Sequence, residues 1–260
     1  HFNNTVVIID EAHLGWGLNR PSHSTILSRF LDSQADGATL ARPPKVVGIS
    51  ATPQRFLAHC ENIQQNPVPV NTNIEHVRVT GALKDDQVTH FGQDFDAFLT
   101  QAASQFFTMS EDWREYHDEN QDTQLITPLL CIQVQDGQGD NLSETPLGDI
   151  VATLRQCDLG FELDGAIFNC FSGDKTHNIG GLDVPYIAPS TISGRDDARI
   201  ILFKTAIATG WDCPQAEVLV SDRHSDDFTV ICQLIGRMVR APLHQRIEPP
   251  NDNLNEIHFY

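Results

Sequence analysis

The chain has 260 residues, 40% of them hydrophobic, which is enough for packed cores in one large domain or two of ordinary size. Its formal net charge of -18, from 17 Lys and Arg residues against 35 Asp and Glu residues, argues against partners held by bulk attraction to phosphate, although a local groove can still bind nucleic acid. The sequence contains no apolar stretch near the roughly 20 residues of a membrane span and no signal-peptide pattern, so we expect a cytoplasmic protein with no membrane contact.

The first predicted element is a strand at residues 6–9, four apolar β-formers that indicate burial on both faces, as in a parallel sheet. Asp10, Glu11 and His13 follow its carboxyl end, which in open α/β sheets faces the ligand crevice. The chain starts at His1, close to this strand, and its last residues, 255–260, also form a strand pattern. We therefore expect a piece of a longer protein.

Further elements follow in the order of an α/β protein. In the first half we predict a loop and short helix at 20–33, a second buried strand at 45–50, a third strand at 76–80, a long connecting helix at 91–116 and an exposed boundary at 116–124. In the second half we predict strands at 128–134, 165–171, 199–204 and 217–221 and helices at 147–156 and 228–239. This alternation predicts a parallel sheet with helices on both faces. The division expected is a first lobe at 1–90, a connecting helix and linker at 91–124, and a second lobe at 125–260.

The six cysteines are scattered along the chain, without a C-x-x-C pair or matching histidines. This spacing favours buried thiols over a zinc site or a disulfide framework. The residues are Cys60, Cys131, Cys157, Cys170, Cys213 and Cys232.

Four short motifs occur in a fixed order: DEAH at 10–13, SAT at 50–52, TGWDCP at 209–214 and QLIGRMVR at 233–240. Each is weak alone, but the order and the strand context together resemble a superfamily 2 helicase or DNA translocase of the DEAD/DEAH-box kind. GWDCP and the stretch VRVTGALKD at 77–85 resemble most closely the motor (Res) subunit of type III restriction enzymes. The resemblance spans residues 5 to about 245. It implies two RecA-like α/β lobes, the first incomplete at its N-terminus, with ATP and Mg²⁺ between them and double-stranded DNA as the track. A methyltransferase subunit is a candidate partner.

The resemblance assigns roles to five residues of the first lobe. Asp10 would hold Mg²⁺ through water, and Glu11, also near the metal and the nucleotide, would orient or deprotonate the attacking water. His13 would couple the nucleotide site to the SAT loop through a switchable hydrogen bond with the hydroxyls of Ser50 and Thr52. The alternative is an ordinary strand-to-loop turn with a structural histidine and hydroxyls that cap the loop before a proline.

In the second lobe, Gly210 would permit a close backbone approach to the nucleotide, and the Asp212 carboxylate would accept from a ribose hydroxyl or pair with an arginine across the cleft. Trp211 is predicted to pack, with stacking on a base as the alternative. Thr205 and Thr209 are weaker candidates for contact with a DNA phosphate.

Gln233, Arg237 and Arg240 are spaced at offsets 0, 4 and 7, which predicts one helix face. The resemblance implies that Gln233 senses the nucleotide and that one or both arginines act as a finger on the γ-phosphate. The alternative is a structural salt-bridge helix.

A motor of this family also needs a G-x-x-x-x-G-K-[ST] loop, and these 260 residues contain none. In the family that loop precedes the DEAH strand, so we expect the fragment alone to be inactive. Residues 171–178 lack the required glycine spacing, and no nuclease motif is present. Two alternative functions stay open: an RNA or repair helicase of the same superfamily, and a non-catalytic nucleic-acid- or protein-binding module. Retention of Asp10, Glu11, Arg237 and Arg240 counts against the binding module, because a fold needs none of them.

Overall fold

The computed structural model describes most of the chain and divides it into two compact units, unit 1 at residues 1–71 and unit 2 at residues 72–260. The described residues are 5–10, 12, 45–50, 53–62, 64–92, 94–139, 141–205, 211–223 and 234–260. Across these ranges, no helix is both long and apolar enough to cross a membrane.

Unit 1 contains two parallel strands and a helix among its described residues. Strand β1 (Val6–Ile9) pairs with β2 (Lys45–Gly48), and helix α1 (Gln54–Asn62) follows β2. Both strands confirm the sequence prediction, but their predicted burial was wrong, because no residue of β2 is fully buried and β1 is buried on one face only. Ile9 is buried against Ala12 and neighbours on one face, whereas Val6 and Ile8 alternate with it and are 53% and 66% exposed. The predicted helix at 20–33 lies outside the described residues.

Unit 2 is built on a sheet of six parallel strands in its described part. In spatial order they are β3 (Asp86–Thr89), β10 (Glu256–Phe259), β9 (Ala216–Ser221), β4 (Leu129–Gln133), β8 (Ile200–Phe203) and β5 (Ile167–Asn169). Every residue of the central strands β4 and β8 is buried, which explains why their sequences are apolar runs rather than alternating patterns. The predicted α/β class and parallel sheet are confirmed for this unit.

Helices cover both faces of this sheet. Helices α3 (Phe95–Glu119) and α4 (Leu147–Leu154) pack on one face, together with an antiparallel hairpin of β6 (His177–Ile179) and β7 (Leu182–Val184). The other face is covered by a 3-10 helix (Pro189–Gly194) and by residues 211–213 and 234–238. A second 3-10 helix (Asp252–Asn255) leads into β10. The helices predicted at 91–116 and 147–156 are confirmed as α3 and α4.

The predicted strand at 76–80 was wrong, because helix α2 (Ile74–Val79) occupies this segment. Asn73 caps the helix by accepting a hydrogen bond from the backbone N–H of Glu75, 2.9 Å away. No residue of α2 is buried, so its valines gain no sheet packing that would outweigh the cap.

The unit boundary also differs from the predicted division at 90 and 124. Helix α3, expected to be a connector, belongs to unit 2 because Leu99, Phe106 and Met109 are buried in the same core as the sheet residues Leu130 and Ile132. Strand β3 lies in the same sheet, paired with β10. Residues 72–124 are therefore structural parts of the second unit.

Candidate functional site

In unit 1, the DEAH turn lies beside the segment that leads to SAT. Parallel pairing brings the carboxyl ends of β1 and β2 together, since Ile9 is aligned with Gly48. The backbone N–H of Ile49 donates to the carbonyl of Ile9, and the N–H of Ala12 donates to the carbonyl of Ile49, both at 2.9 Å. Ala12 of DEAH is thus hydrogen-bonded through its backbone to Ile49, the residue that directly precedes SAT.

Asp10 occupies the exposed turn directly after β1, and Ser50 is half-buried after β2. A carboxylate at this edge is the hard oxygen ligand that Mg²⁺ prefers, so Asp10 fits the predicted metal. Glu11, His13 and Thr52 lie outside the described residues, and the roles given to them stay predictions. Within the described ranges, no three or more His, Cys, Asp or Glu side chains form a group suited to a metal ion.

In unit 2, two arginines of QLIGRMVR form hydrogen bonds with residues of TGWDCP. Arg240 Nη1 donates to Asp212 Oδ2 at 2.7 Å, and Arg237 Nη1 donates to the backbone carbonyl of Trp211. The side chains of Arg240 and Asp212 are 49% and 60% exposed, so this ion pair is open to solvent and to a ligand. Of the two partners predicted for Asp212, the structure shows an arginine, although it belongs to the same unit.

The spacing predicted that Arg237 and Arg240 share one helix face, but Arg240 lies outside the helix. Helical structure is described from residue 234 to 238, and Arg240 lies beyond it in an antiparallel bridge with Leu83. Val239 accepts a hydrogen bond from the N–H of Lys84 at 2.7 Å, and the N–H of Ala241 donates to Ala82 at 3.0 Å. These strand-type bonds replace the next helical turn. Gln233 lies outside the described residues.

The other candidate residues predicted for the second lobe lie in the core, at the surface or outside the described residues. Trp211 is fully buried in the core on one sheet face, which confirms the packing prediction. Thr205 is exposed after β8, whereas Thr209 and Gly210 lie outside the described residues.

The buried cysteines offer little reactivity. Cys60, Cys131, Cys170 and Cys213 are buried, as predicted, and Cys157 is partly buried. Burial raises the pKa of both Cys170 and Cys213 to about 12, so these two thiols stay protonated near neutral pH. A protonated thiol is a poor nucleophile and a poor metal ligand. Cys232 lies outside the described residues.

Sequence reasoning missed a buried charged cluster in unit 2. The ammonium of Lys84 donates to Glu217 Oε1, and the indole N–H of Trp113 donates to Glu217 Oε2 at 2.7 Å. Lys84 Nζ also donates to the backbone carbonyl of Glu256 at 3.1 Å. A glutamate inside the apolar strand AEVLVS was the available signal, since charged residues are rarely buried unless they are paired.

A scan against protein-family models finds no match for this chain, and a search of curated proteins finds none either. The helicase resemblance therefore depends on the four motifs and on the contacts that the structure gives them.

Proposed function

We propose that the chain forms two RecA-like lobes of an ATP-dependent DNA helicase or translocase, similar to a type III restriction motor and acting in the cytoplasm. The observation that carries this proposal is the backbone hydrogen bond from Ala12 of DEAH to the carbonyl of Ile49, the residue that directly precedes SAT. A motor must transmit the state of its nucleotide to a moving part, and a backbone hydrogen bond between one motif and the residue before the next offers such a route.

In unit 1, Asp10 would bind the metal and Glu11 would position the attacking water. When bound, Mg²⁺ would neutralise charge on the phosphates of ATP. Asp10 lies in an exposed turn, where its carboxylate can bind a hydrated cation without losing much solvation. Glu11 would orient the water or accept its proton, and His13 would sense the result through Ser50 and Thr52.

In unit 2, Arg237 and Arg240 would contact the phosphates of ATP. A guanidinium carries five N–H donors, so an arginine paired with a carboxylate still has donors to offer a phosphate. The exposed Asp212 orients Arg240 at 2.7 Å, and the Trp211 carbonyl orients Arg237. Developing negative charge in phosphoryl transfer is stabilised by donors that are already in place.

The test is ATP hydrolysis by the complete natural protein with and without double-stranded DNA, and with a Glu11→Gln variant. We expect DNA to stimulate turnover, and the variant to lose about 100-fold or more, the usual contribution of a positioned general base. Glu61→Gln is the matched control, because it removes the same charge from an exposed position on α1.

Other outcomes would select the alternatives. Turnover stimulated by RNA and indifferent to DNA would identify an RNA helicase of the same superfamily. Absence of turnover in the complete protein would favour a non-catalytic binding module. Association with a methyltransferase subunit would be measured separately, by co-purification of the complete protein with that subunit.

A further inference from the structure

Residues 81–85, here called the strap, connect the arginine segment at 239–241 to the rest of unit 2. On one side, the strap is hydrogen-bonded to Val239 and Ala241, with Leu83 directly opposite Arg240. On the other side, the N–H of Asp85 donates to the carbonyl of Asn255 at 2.8 Å, just before β10. The strap therefore holds the backbone on which Arg240 is mounted.

The start of the strap is tightly fitted. Gly81 has a φ of +71°, and a Cβ at this position would lie 2.6 Å from the backbone nitrogen of Arg246. Arg246 in turn donates from Nε to Asp85 Oδ2 at 2.7 Å. A close approach and a left-handed backbone both require glycine here.

Lys84 anchors the strap in the core. Its side chain and that of Glu217 are both fully buried, and Glu217 belongs to the sheet strand β9. Trp113 connects the same carboxylate to helix α3, and the carbonyl of Glu256 connects the ammonium to β10. One lysine thus fixes the strap to three elements of the unit.

Stability alone does not account for this ion pair. Burial lowers the pKa of Lys84 and raises that of Glu217, in opposition to their mutual attraction. Two apolar side chains of similar size often stabilise a protein as well as a buried ion pair does. A charged pair does specify one alignment of the strap. If the strap slipped by one residue along its neighbours, Leu83 or Asp85 would take the place of Lys84 beside Glu217. Either slip would leave a buried carboxylate without its cation.

We propose that the Lys84–Glu217 pair is a positioning device that fixes the register of the strap on residues 239–241 and thereby holds the Arg240 guanidinium in place. The last step, that Arg240 serves a nucleotide, rests on the proposed function. The first step, that the pair fixes the register, does not depend on it.

The test uses the complete natural protein with the double substitution Lys84→Met and Glu217→Leu. The first measurement is amide hydrogen exchange at positions 84 and 241, whose backbone N–H groups bond between the strap and residues 239–241. The unfolding midpoint should fall modestly, because the buried indole N–H of Trp113 loses its acceptor, and exchange at these two amides should rise at least about tenfold more than at amides of the sheet core. The second measurement is ATP turnover, where we expect kcat to fall about tenfold with a smaller change in KM, as for an interaction made in the transition state.

Two further variants keep the result interpretable. Lys84→Arg retains the ion pair and should keep exchange slow and kcat near that of the wild type. This comparison holds whether or not the double variant folds well. The control replaces Arg195 by Met and Asp197 by Leu, because this exposed ion pair joins two residues of one loop between the 3-10 helix and β8.

The outcomes separate this inference from the proposed function. Unchanged exchange in the double variant, or faster exchange with unchanged kcat, would overturn the positioning role even if the protein is an ATPase. Absence of ATP turnover in the wild type would overturn the proposed function, and hydrogen exchange would still decide whether the pair fixes the register.

Discussion

Truncation of Phe106 to alanine tests whether α3 is part of the unit 2 core. The Phe106 ring is fully buried, meets Phe161 edge-on at 6.0 Å between centroids, and lies 5.2 Å beneath the guanidinium of Arg199. Deletion of a buried phenylalanine ring costs about 3–5 kcal/mol through lost burial and the cavity that remains. A helix that merely connected two lobes would lose about 1 kcal/mol or less.

Urea unfolding of the whole chain, followed by tryptophan fluorescence, measures this cost, because Trp113 and Trp211 are both buried in unit 2. With a slope of about 2 kcal/mol per molar urea, Phe106→Ala should lower the midpoint by roughly 2 M. Gln101→Ala on the exposed side of α3 is the matched control and should change stability by less than about 0.5 kcal/mol. Equal effects of the two substitutions would refute the assignment of α3 to the core.

Two more predictions concern the arginine segment and a buried histidine. Arg240→Lys keeps the charge beside Asp212, so the free energy of unfolding should change by less than about 1 kcal/mol. Turnover should fall at least about tenfold through loss of the planar fork, and full turnover would contradict the role of Arg240. For His258, burial and the nearby charges of His90 and Lys84 lower the pKa to about 4, below its ordinary value of 6.5. The unfolded chain then binds the proton more tightly, so stability should fall by at most about 3 kcal/mol as pH drops from 6.5 to 4. His258→Phe should flatten the pH dependence in that range, and an equal slope in both proteins would contradict the prediction.

The sheet of unit 2 was predictable where burial dominated the sequence. Strands β4, β8 and β9 are apolar runs, because each lies within a sheet that is covered on both faces. Helix α3 was visible through the spacing of its buried residues. Strand β3, with the sequence DQVT, was missed because it is an edge strand with a polar, largely exposed surface. The hairpin of β6 and β7 carried a signal in Gly180 and Gly181, whose positive φ angles form its turn.

The candidate site was predictable as a set of motifs but not as a set of contacts. The opposite charges of Asp212 and Arg240 allowed an ion pair, but no local pattern showed that the helix ends at residue 238. The strap, which is far away in sequence, instead bonds to the carbonyl of Val239 and the N–H of Ala241, on either side of Arg240. Long-range pairing of this kind overrides a helical spacing that is otherwise consistent.

Two ion pairs of unit 2, Lys84–Glu217 and Arg240–Asp212, suit opposite tasks because one is buried and the other is exposed. Separation of Lys84 from Glu217 would leave two charges inside a dry core, so no ligand can readily compete for either partner. Separation of Arg240 from Asp212 would expose both groups to water. Arg240 can therefore exchange the carboxylate for a phosphate at a low cost in free energy. A nucleotide site needs a cation that is oriented before the ligand arrives and is still available to it. Under the proposed function, the buried pair would supply the orientation through the strap, and the exposed pair would supply the availability.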